Sequence, residues 1–381
     1  MNVIFTCGGT GGHINPAIAV ANIFKERHPD CNILFVGAVD RMEEELVPKA
    51  GYELRTIPAS GILREKSFAA LMYNIRSVGY VLQSLGKCKK ILKDFKADVV
   101  IGTGGYASFP TLLAASRLGI PTCVHESNAM PGMTTRMIAK YADRVLICFP
   151  ESAKHYSQPD KLEVVGMPVR REFVFTKQAD ARKELGLDEK PLVVTAFGSQ
   201  GAKAMNEVVA ELFKLEQEAG YPFRHIHATG SYGWEWMPQY VKDLGVDLDA
   251  TDCITMQEYI YNMPTLMAAS DVVVSRAGAS SCNEIAASGT PCILIPSPNV
   301  TDNHQEKNAR ALADSGAAVL VLEPECTAQR LMDEITGLIA DRQRYQNMQK
   351  ALLKLSVPDS ADKLCNIIEE LAKESPYGNK R

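Results

Sequence analysis

Short, continuously apolar runs rich in Val and Ile recur down this chain, separated by segments long enough for a helix. In the first half they read "NVIFT", "NILFV", "DVVIG", "PTCVH" and "RVLIC". In the second half they read "LVVTAFG", "RHIHATG", "CITM", "DVVVS", "PCILIP" and "AAVLV". Strands with two apolar faces need cover on both, and patterns such as "NPAIAVANIFKERH" and "AKAMNEVVAELFKLEQEAG" supply it. The alternation predicts an α/β fold with parallel sheets. It breaks at "EVVGMPVRREFVF" and restarts at "PLVVTAFGSQGAKAMN". A chain of 381 residues exceeds one ordinary core. We therefore expect two doubly wound domains, 1–166 and 167–357, and a last helix within 358–373 with Leu364, Ile367, Ile368 and Leu371 on its apolar face.

Composition limits the setting. At 46% hydrophobic and 23% charged the chain is globular, and a net charge of −4 with a pI near 6.0 gives no footprint for nucleic acid. Ten cysteines form no CxxC pair and several sit in apolar runs, which predicts buried, reduced thiols and a reducing compartment. The N-terminus begins directly in a strand-like run without a signal-peptide pattern. No apolar stretch reaches the ~20 residues that span a bilayer. The expected location is cytoplasmic, with contact to a membrane surface left open.

Ligands in open α/β sheets bind at the carboxyl ends of strands, and the unusual turns of this chain fall there. "CGGTGGHINP", residues 7–16, follows the first strand and precedes a helix expected to start near Asn15. Its glycines allow backbone N–H groups to approach an oxyanion at a helix N-terminus. The spacing fits neither G-x-G-x-x-G nor a P-loop. "GTGGYASFP" does fit G-x-G-x-x-A through Gly102, Gly104 and Ala107, with Glu126 about twenty residues on, which keeps a nicotinamide cofactor as one reading. "FGSQGAKAMN" repeats the strand, glycine turn and helix, with Ser199 placed to hold a diphosphate. In "SRAGASSCNEIAASGTP" Glu284 lies inside a helix, where a carboxylate suits ribose hydroxyls better than phosphate. "PNVTDNHQEKNA" is a polar loop leading into a helix through Asp302, His304 and Gln305. No metal-ligand spacing is present, and Asp247 to Asp249 reads as a solvated acidic loop. Arg170 and the helix after "GSQGA" are the expected help for a leaving diphosphate.

Taken in order, "GGTGGHINPA", "GTGGYASFP", "HESNAMPGMTT", "GMPVR", "FGSQGA", "SRAGASSCNEIAASGTPCILIP" and "TDNHQEKNA" resemble the MurG family of bacterial N-acetylglucosaminyltransferases over nearly the whole chain. The resemblance implies GT-B architecture: two Rossmann-like domains facing across a cleft, the last helix returning to the first domain. It implies inverting, β-1,4 transfer of GlcNAc from UDP-GlcNAc to lipid I, the undecaprenyl-pyrophosphoryl-MurNAc-pentapeptide, giving lipid II. By motif it carries over UDP-GlcNAc contacts at Thr10, Gly11, Gly12, Asn128, Arg170, Ser199, Ile260, Ala279, Ser280, Ser281, Cys282, Asn283, Glu284 and Gln305. The acceptor pyrophosphate falls to Gly11, Gly12, Gly104, Gly105 and Tyr106. Family members often differ at Ser127, Thr135, Phe197 and Ser281, of which Ser281 keeps the hydroxyl of the commoner threonine. No metal or cofactor is implied.

Inversion needs a general base for the acceptor hydroxyl. His13 is the first candidate and Glu126 the second; the alternative role for each is to orient substrate or loop. His125 reads as a structural group. The polyprenyl acceptor requires a membrane contact. Phe68, Leu71, Met72, Ile75 and Val78 recur at helical spacing beside Arg64, Lys66 and Arg76, with Lys87, Lys89, Lys90 and Lys93 beyond, a basic amphipathic pattern suited to an anionic surface. The expected location is then peripheral, on the cytoplasmic face of the inner membrane, with cell-wall synthesis proteins as further expected partners. Two other readings share the donor: a UDP-GlcNAc 2-epimerase and a non-catalytic sugar-nucleotide-binding subunit.

Overall fold

The computed structural model describes residues 1–9, 11–61 and 67–377. The chain divides into two compact units, Met1–Pro168 with Asp359–Arg381, and Val169–Pro358. The division falls two residues beyond the expected boundary, because Val165 and Met167 are still buried and Val165 belongs to the first core.

The first unit is a seven-stranded, fully parallel sheet. Its strands are β1 (Asn2–Thr6), β2 (Asn32–Ala38), β3 (Glu53–Ile57), β4 (Val99–Gly102), β5 (Thr122–Glu126), β6 (Arg144–Ile147) and β7 (Leu162–Val164), in the order β3-β2-β1-β4-β5-β6-β7. β1 pairs with β4 in the register Thr6 to Gly102. All five residues of β1 are buried, and one core lies on each face of the sheet. β3 and β7 were not among the predicted strands. Both sit at sheet edges, and "ELRTI" and "LEV" carry the charged, half-exposed residues that edges tolerate.

The C-terminal helix Ser360–Lys373 packs on the first helix, Gly11–Arg27. Leu364, Ile367, Ile368 and Leu371 join the core that contains Val3, Phe5 and Phe24. Arg27 reaches Glu369 at 3.0 Å on the rim of this contact.

The second unit is a six-stranded parallel sheet. Its strands are β8 (Leu192–Ala196), β9 (Arg224–Ala228), β10 (Ile254–Gln257), β11 (Val272–Ser275), β12 (Cys292–Leu294) and β13 (Val319–Leu320), ordered β10-β9-β8-β11-β12-β13. Both sheets therefore reverse direction of winding at one point, between β1 and β4 in one and between β8 and β11 in the other. That reversal opens a crevice at the carboxyl ends of the two central strands. All ten cysteines are buried and unpaired.

Candidate functional site

In the first unit the two glycine-rich turns follow β1 and β4, the strands that flank the reversal. They interlock. Gly105 has φ +86°, and a Cβ there would lie 2.0 Å from the carbonyl oxygen of Gly8. Gly104 has φ +98°, and its Cβ would lie 2.7 Å from His13 Nδ1. Only glycine permits both the conformation and the approach. Ser108 ties the turns from below, its hydroxyl donating to the carbonyls of Thr6 (2.9 Å) and Gly104 (2.6 Å).

The helix after the first turn begins at Gly11, four residues before the expected start. Gly11 and Gly12 accept the helical conformation, and Pro16 in the second turn loses the bond its N–H would make to the Gly12 carbonyl and crowds that carbonyl with its ring. His13 thus stands in the first helical turn rather than at the end of a loop. Its ring meets the second glycine turn: Nδ1 lies 2.9 Å from the carbonyl oxygen of Thr103, while Thr103 Oγ1 donates to the carbonyl of His13 at 2.7 Å. A carbonyl only accepts, so Nδ1 carries the proton and Nε2 is the basic nitrogen of the neutral ring. Gly11 is half-buried, Gly12 exposed, and Tyr106 42% exposed beside Gly9. Thr10 lies outside the described residues.

Glu126 ends β5 and is 2% exposed. One carboxylate oxygen accepts from the backbone N–H and side-chain amide of Asn128 (3.0 and 3.2 Å), and the other from the Gly132 N–H (3.1 Å). Both oxygens hold the 127–132 loop, an arrangement that orients Asn128. His125 is fully buried, contacts the carbonyl of Gly166 at 2.9 Å, and burial pushes its pKa down. Sequence reading missed two supports of this site. Thr103, inside the "GTGGY" motif, sets the His13 tautomer. Glu43 is fully buried, accepts from the Ala38 N–H at 3.1 Å, and fills the space a Gly8 side chain would need; nothing in "RMEEELVPK" singles it out from Glu44 and Glu45.

The second unit repeats the device. Gly201 (φ +80°) and Gly230 (φ +71°) meet backbone to backbone, a Cβ on Gly201 falling 2.0 Å from the Thr229 carbonyl oxygen. This fixes the turn Gly198–Ala202 after β8, in which Ser199 is exposed and the helix Lys203–Glu218 begins. The turn after β11 leads into the helix Ala279–Ser288, with Gly278 extended at its N-cap. No side chain caps either helix, so the first-turn N–H groups are oriented for an anion. Ser280 is exposed and Ser281 half-exposed at the second helix. Asn283 turns back to the Ala279 carbonyl at 2.8 Å. Cys282 is 1% exposed, with its thiol pushed up to about 12 by burial, so only its backbone can serve a ligand.

Burial raises the pKa of Glu284 to about 7, and the Arg170 charge opposes part of that shift. Arg170 is exposed and lies over the Phe173 ring at 5.3 Å. Ile260 is 3% exposed at the end of the segment after β10. Gln305 accepts from the Ser297 N–H at 2.9 Å, next to Asp302 and Asn303, whose φ values of +58° and +50° are strained for non-glycine residues. Among the described residues no group of His, Cys, Asp or Glu could hold a metal ion.

A carboxyl whose folded pKa is raised favours the folded state when protonated. That contribution is present below the ordinary pKa and is lost as pH rises through about 7. Glu284→Gln removes the ionisation. The variant should be more stable than the parent by up to about 3 kcal/mol at pH 8, with the difference vanishing below pH 4.5, in denaturant melts without ligand. A gap that does not change with pH would contradict the assignment.

Residues 3–147 match the Glycosyltransferase family 28 N-terminal domain and residues 192–364 its C-terminal domain. A relative from Acetivibrio thermocellus is 40% identical over 379 residues, covering 99% of this chain and 100% of its own. It is named UDP-N-acetylglucosamine--N-acetylmuramyl-(pentapeptide) pyrophosphoryl-undecaprenol N-acetylglucosamine transferase. A relative of the same name from Bacillus cytotoxicus is 37% identical over 375 residues, 98% of this chain and 100% of its own. The crystal structure of Acinetobacter baumannii MurG superposes with a TM-score of 0.77 at 26% identity, covering 97% of this chain and 99% of that one. The UDP-GlcNAc 2-epimerase of Neisseria meningitidis shares the fold at a TM-score of 0.60 and 15% identity, over 97% of this chain and 100% of that one. The chain belongs to glycosyltransferase family 28 and, within it, to the MurG family.

Proposed function

We propose that this protein transfers GlcNAc from UDP-GlcNAc to the 4-hydroxyl of MurNAc in lipid I, with inversion, in peptidoglycan synthesis. The observation that carries the reading is that interlocked glycine turns lie at the reversal point of the first sheet, between β1 and β4, and present a histidine with Nε2 as its basic nitrogen. The near-full-length identity to N-acetylglucosamine transferases names the substrates.

In this reading the first unit serves the acceptor. Gly11, Gly12, Gly104, Gly105 and Tyr106 surround its pyrophosphate. His13 Nε2 takes the 4-OH proton as the new bond forms at C1, opposite the departing UDP. Glu126 acts as a positioning residue, since both its oxygens are already committed to the loop that carries Asn128. The second unit serves the donor. Ser199 and the N-terminus of the helix Ala279–Ser288 hold the diphosphate, Glu284 accepts from the ribose hydroxyls, and the Ile260 backbone meets the uracil. Gln305 and Asn128 contact the sugar. Arg170 and the helix N-termini stabilise the charge that develops on UDP. Initial rates of UDP release, with and without a short-chain lipid I analogue, test this: release should depend on the acceptor, and equal release without it would overturn the assignment.

The same reading places the protein at an anionic membrane. No helix among the described residues is long and apolar enough to cross one. The helix Phe68–Phe95 leaves Phe68 (77%), Met72 (52%) and Leu82 (67%) exposed while burying Ser84, Cys88 and Leu92. Lys87, Lys89, Lys90 and Lys93 are exposed further along. Arg64 and Lys66, and the side chains of Leu71, Ile75, Arg76 and Val78, lie outside the described residues. An apolar row with flanking cations suits the headgroup boundary. Charge reversal at Arg64, Lys66 and Arg76 should weaken binding to anionic vesicles by at least about tenfold, at about 1 kcal/mol per cation, and leave turnover of a short-chain soluble acceptor unchanged. Co-sedimentation measures the first; undiminished vesicle binding would contradict the surface assignment.

A further inference from the structure

The second unit buries a chain of polar side chains that the donor reading does not use. Glu216, His225, Thr195 and His227 are all 0% exposed. His225 Nδ1 lies 2.7 Å from Glu216 Oε1 and His225 Nε2 lies 2.8 Å from Thr195 Oγ1. His227 Nδ1 lies 2.6 Å from the same hydroxyl. Thr195 on β8 stands opposite His227 on β9, and His225 shares that face of β9. Glu216 comes from the helix Lys203–Glu218, whose Phe213 closes over His225 with ring centroids 4.9 Å apart.

A threonine hydroxyl carries one proton. It donates to one imidazole and accepts from the other, so the two rings hold opposite roles at Oγ1. Burial, and then His225, push the His227 pKa down to about 3, so that ring is neutral. At the two ends, Glu216 Oε2 and His227 Nε2 have no hydrogen-bond partner among the described residues. The side-chain bonds therefore run only among these four residues. Apolar side chains would fill this space as well, but a bonded chain also sets how β8, β9 and the helix stand relative to one another.

Those three elements build the diphosphate contact of the donor reading. β8 runs into the turn Gly198–Ala202, and the helix Lys203–Glu218 leaves it. Just beyond His227, the Thr229 carbonyl and Gly230 meet Gly201 backbone to backbone, with no room for a Cβ. The Ser231 N–H donates to the Ser199 carbonyl and the Tyr232 N–H to the Gln200 carbonyl, both at 3.2 Å. Phe197, at the head of the turn, has its ring 6.2 Å from that of His227. A shift of β9 against β8 therefore carries Ser199 with it.

We infer that Glu216, His225, Thr195 and His227 are positioning residues for the nucleotide diphosphate, their hydrogen-bond chain holding the Gly198–Ala202 turn and the following helix N-terminus in the geometry that binds it. This rests on the donor reading and extends it to residues that, being fully buried, act only through the turn.

Thr195→Val keeps the shape of the side chain and removes the hydroxyl, whereas Thr195→Ser keeps the hydroxyl. UDP is titrated calorimetrically into the full-length protein and both variants, at a temperature where melts show each to be folded. Thr195→Val should bind UDP at least about tenfold more weakly than the parent, and Thr195→Ser should stay within about threefold of it. A folded Thr195→Val with a lower melting temperature but the parental UDP affinity would make the chain merely structural and overturn the inference. A parent that does not bind UDP would overturn the donor reading, and the inference with it. Should Thr195→Val not fold, long-range proton–nitrogen spectra of the parent, labelled with nitrogen-15 at its seven histidines, give the test. One bare and one protonated ring nitrogen are expected at Thr195, with the His225 and His227 signals both shifting as UDP is added. Two protonated nitrogens there, or no shift at saturating UDP, would overturn the inference.

Discussion

His13→Ala should lower kcat by about 10²- to 10⁴-fold, the usual contribution of a positioned general base. The equilibrium affinity for UDP-GlcNAc should stay within a few-fold of the parent, because the substitution touches the acceptor-side turn. The structural reason is the clamp with Thr103. The Thr103 carbonyl accepts a hydrogen bond from Nδ1–H, the Thr103 hydroxyl donates to the His13 carbonyl, and Gly104 leaves room for the ring. The imidazole is held in one tautomer and one orientation before substrate arrives, so little reorganisation remains for the reaction itself. The acidic limb of the pH–rate profile should vanish in the variant, since the group whose protonation stops catalysis is gone. Single-turnover rates with a short-chain acceptor, alongside calorimetric titration with UDP-GlcNAc, separate the two effects. A variant that turns over normally would remove His13 as the base; one that loses donor binding and turnover in parallel would make it a structural residue.

Gly105→Ala should be the most damaging single methyl in the first unit. The alanine must adopt φ +86° and bring its Cβ to 2.0 Å from the Gly8 carbonyl oxygen, against backbone that has no rotamer to change. Left-handed strain and overpacking each cost about 1–3 kcal/mol, so a loss of about 2–6 kcal/mol is expected in denaturant melts. Any folded fraction should show a raised acceptor KM, because the two turns can no longer share one surface. Gly132→Ala is the matched control: it has no atom within 4 Å of its Cβ position and no left-handed φ, so it should cost far less. Equal stability of the two variants would mean that the turns are not interlocked as described.

Much of the fold was legible because the central strands are apolar on both faces. β1, β4 and β11 are buried throughout, and a run such as "DVVVS" has no other home. β3 and β7 were not legible, because edge strands need only one apolar face and carry Glu53, Arg55 and Glu163. The helix start at Gly11 was missed because glycine is a poor guide to where helix begins: here it tolerates the first turn as readily as a loop. Glycine-rich motifs marked turns at the carboxyl ends of strands, yet their pairing was invisible. That Gly105 answers Gly8, and Gly230 answers Gly201, depends on which strands lie side by side, and this emerges only from the sheet order. Glu126 shows the same limit. A buried carboxylate at a strand end reads as a base until its two oxygens are seen to hold the Asn128 and Gly132 amides.

In the proposed reaction this protein joins GlcNAc to lipid I with inversion at C1. Its most direct test is the identity of the product formed from UDP-GlcNAc and a short-chain lipid I analogue by the purified protein. One product is expected, heavier than the acceptor by a single N-acetylhexosamine residue, β-linked to the MurNAc 4-oxygen by its anomeric NMR coupling. An α-linked product, or release of free N-acetylmannosamine and UDP with the acceptor unchanged, would contradict it.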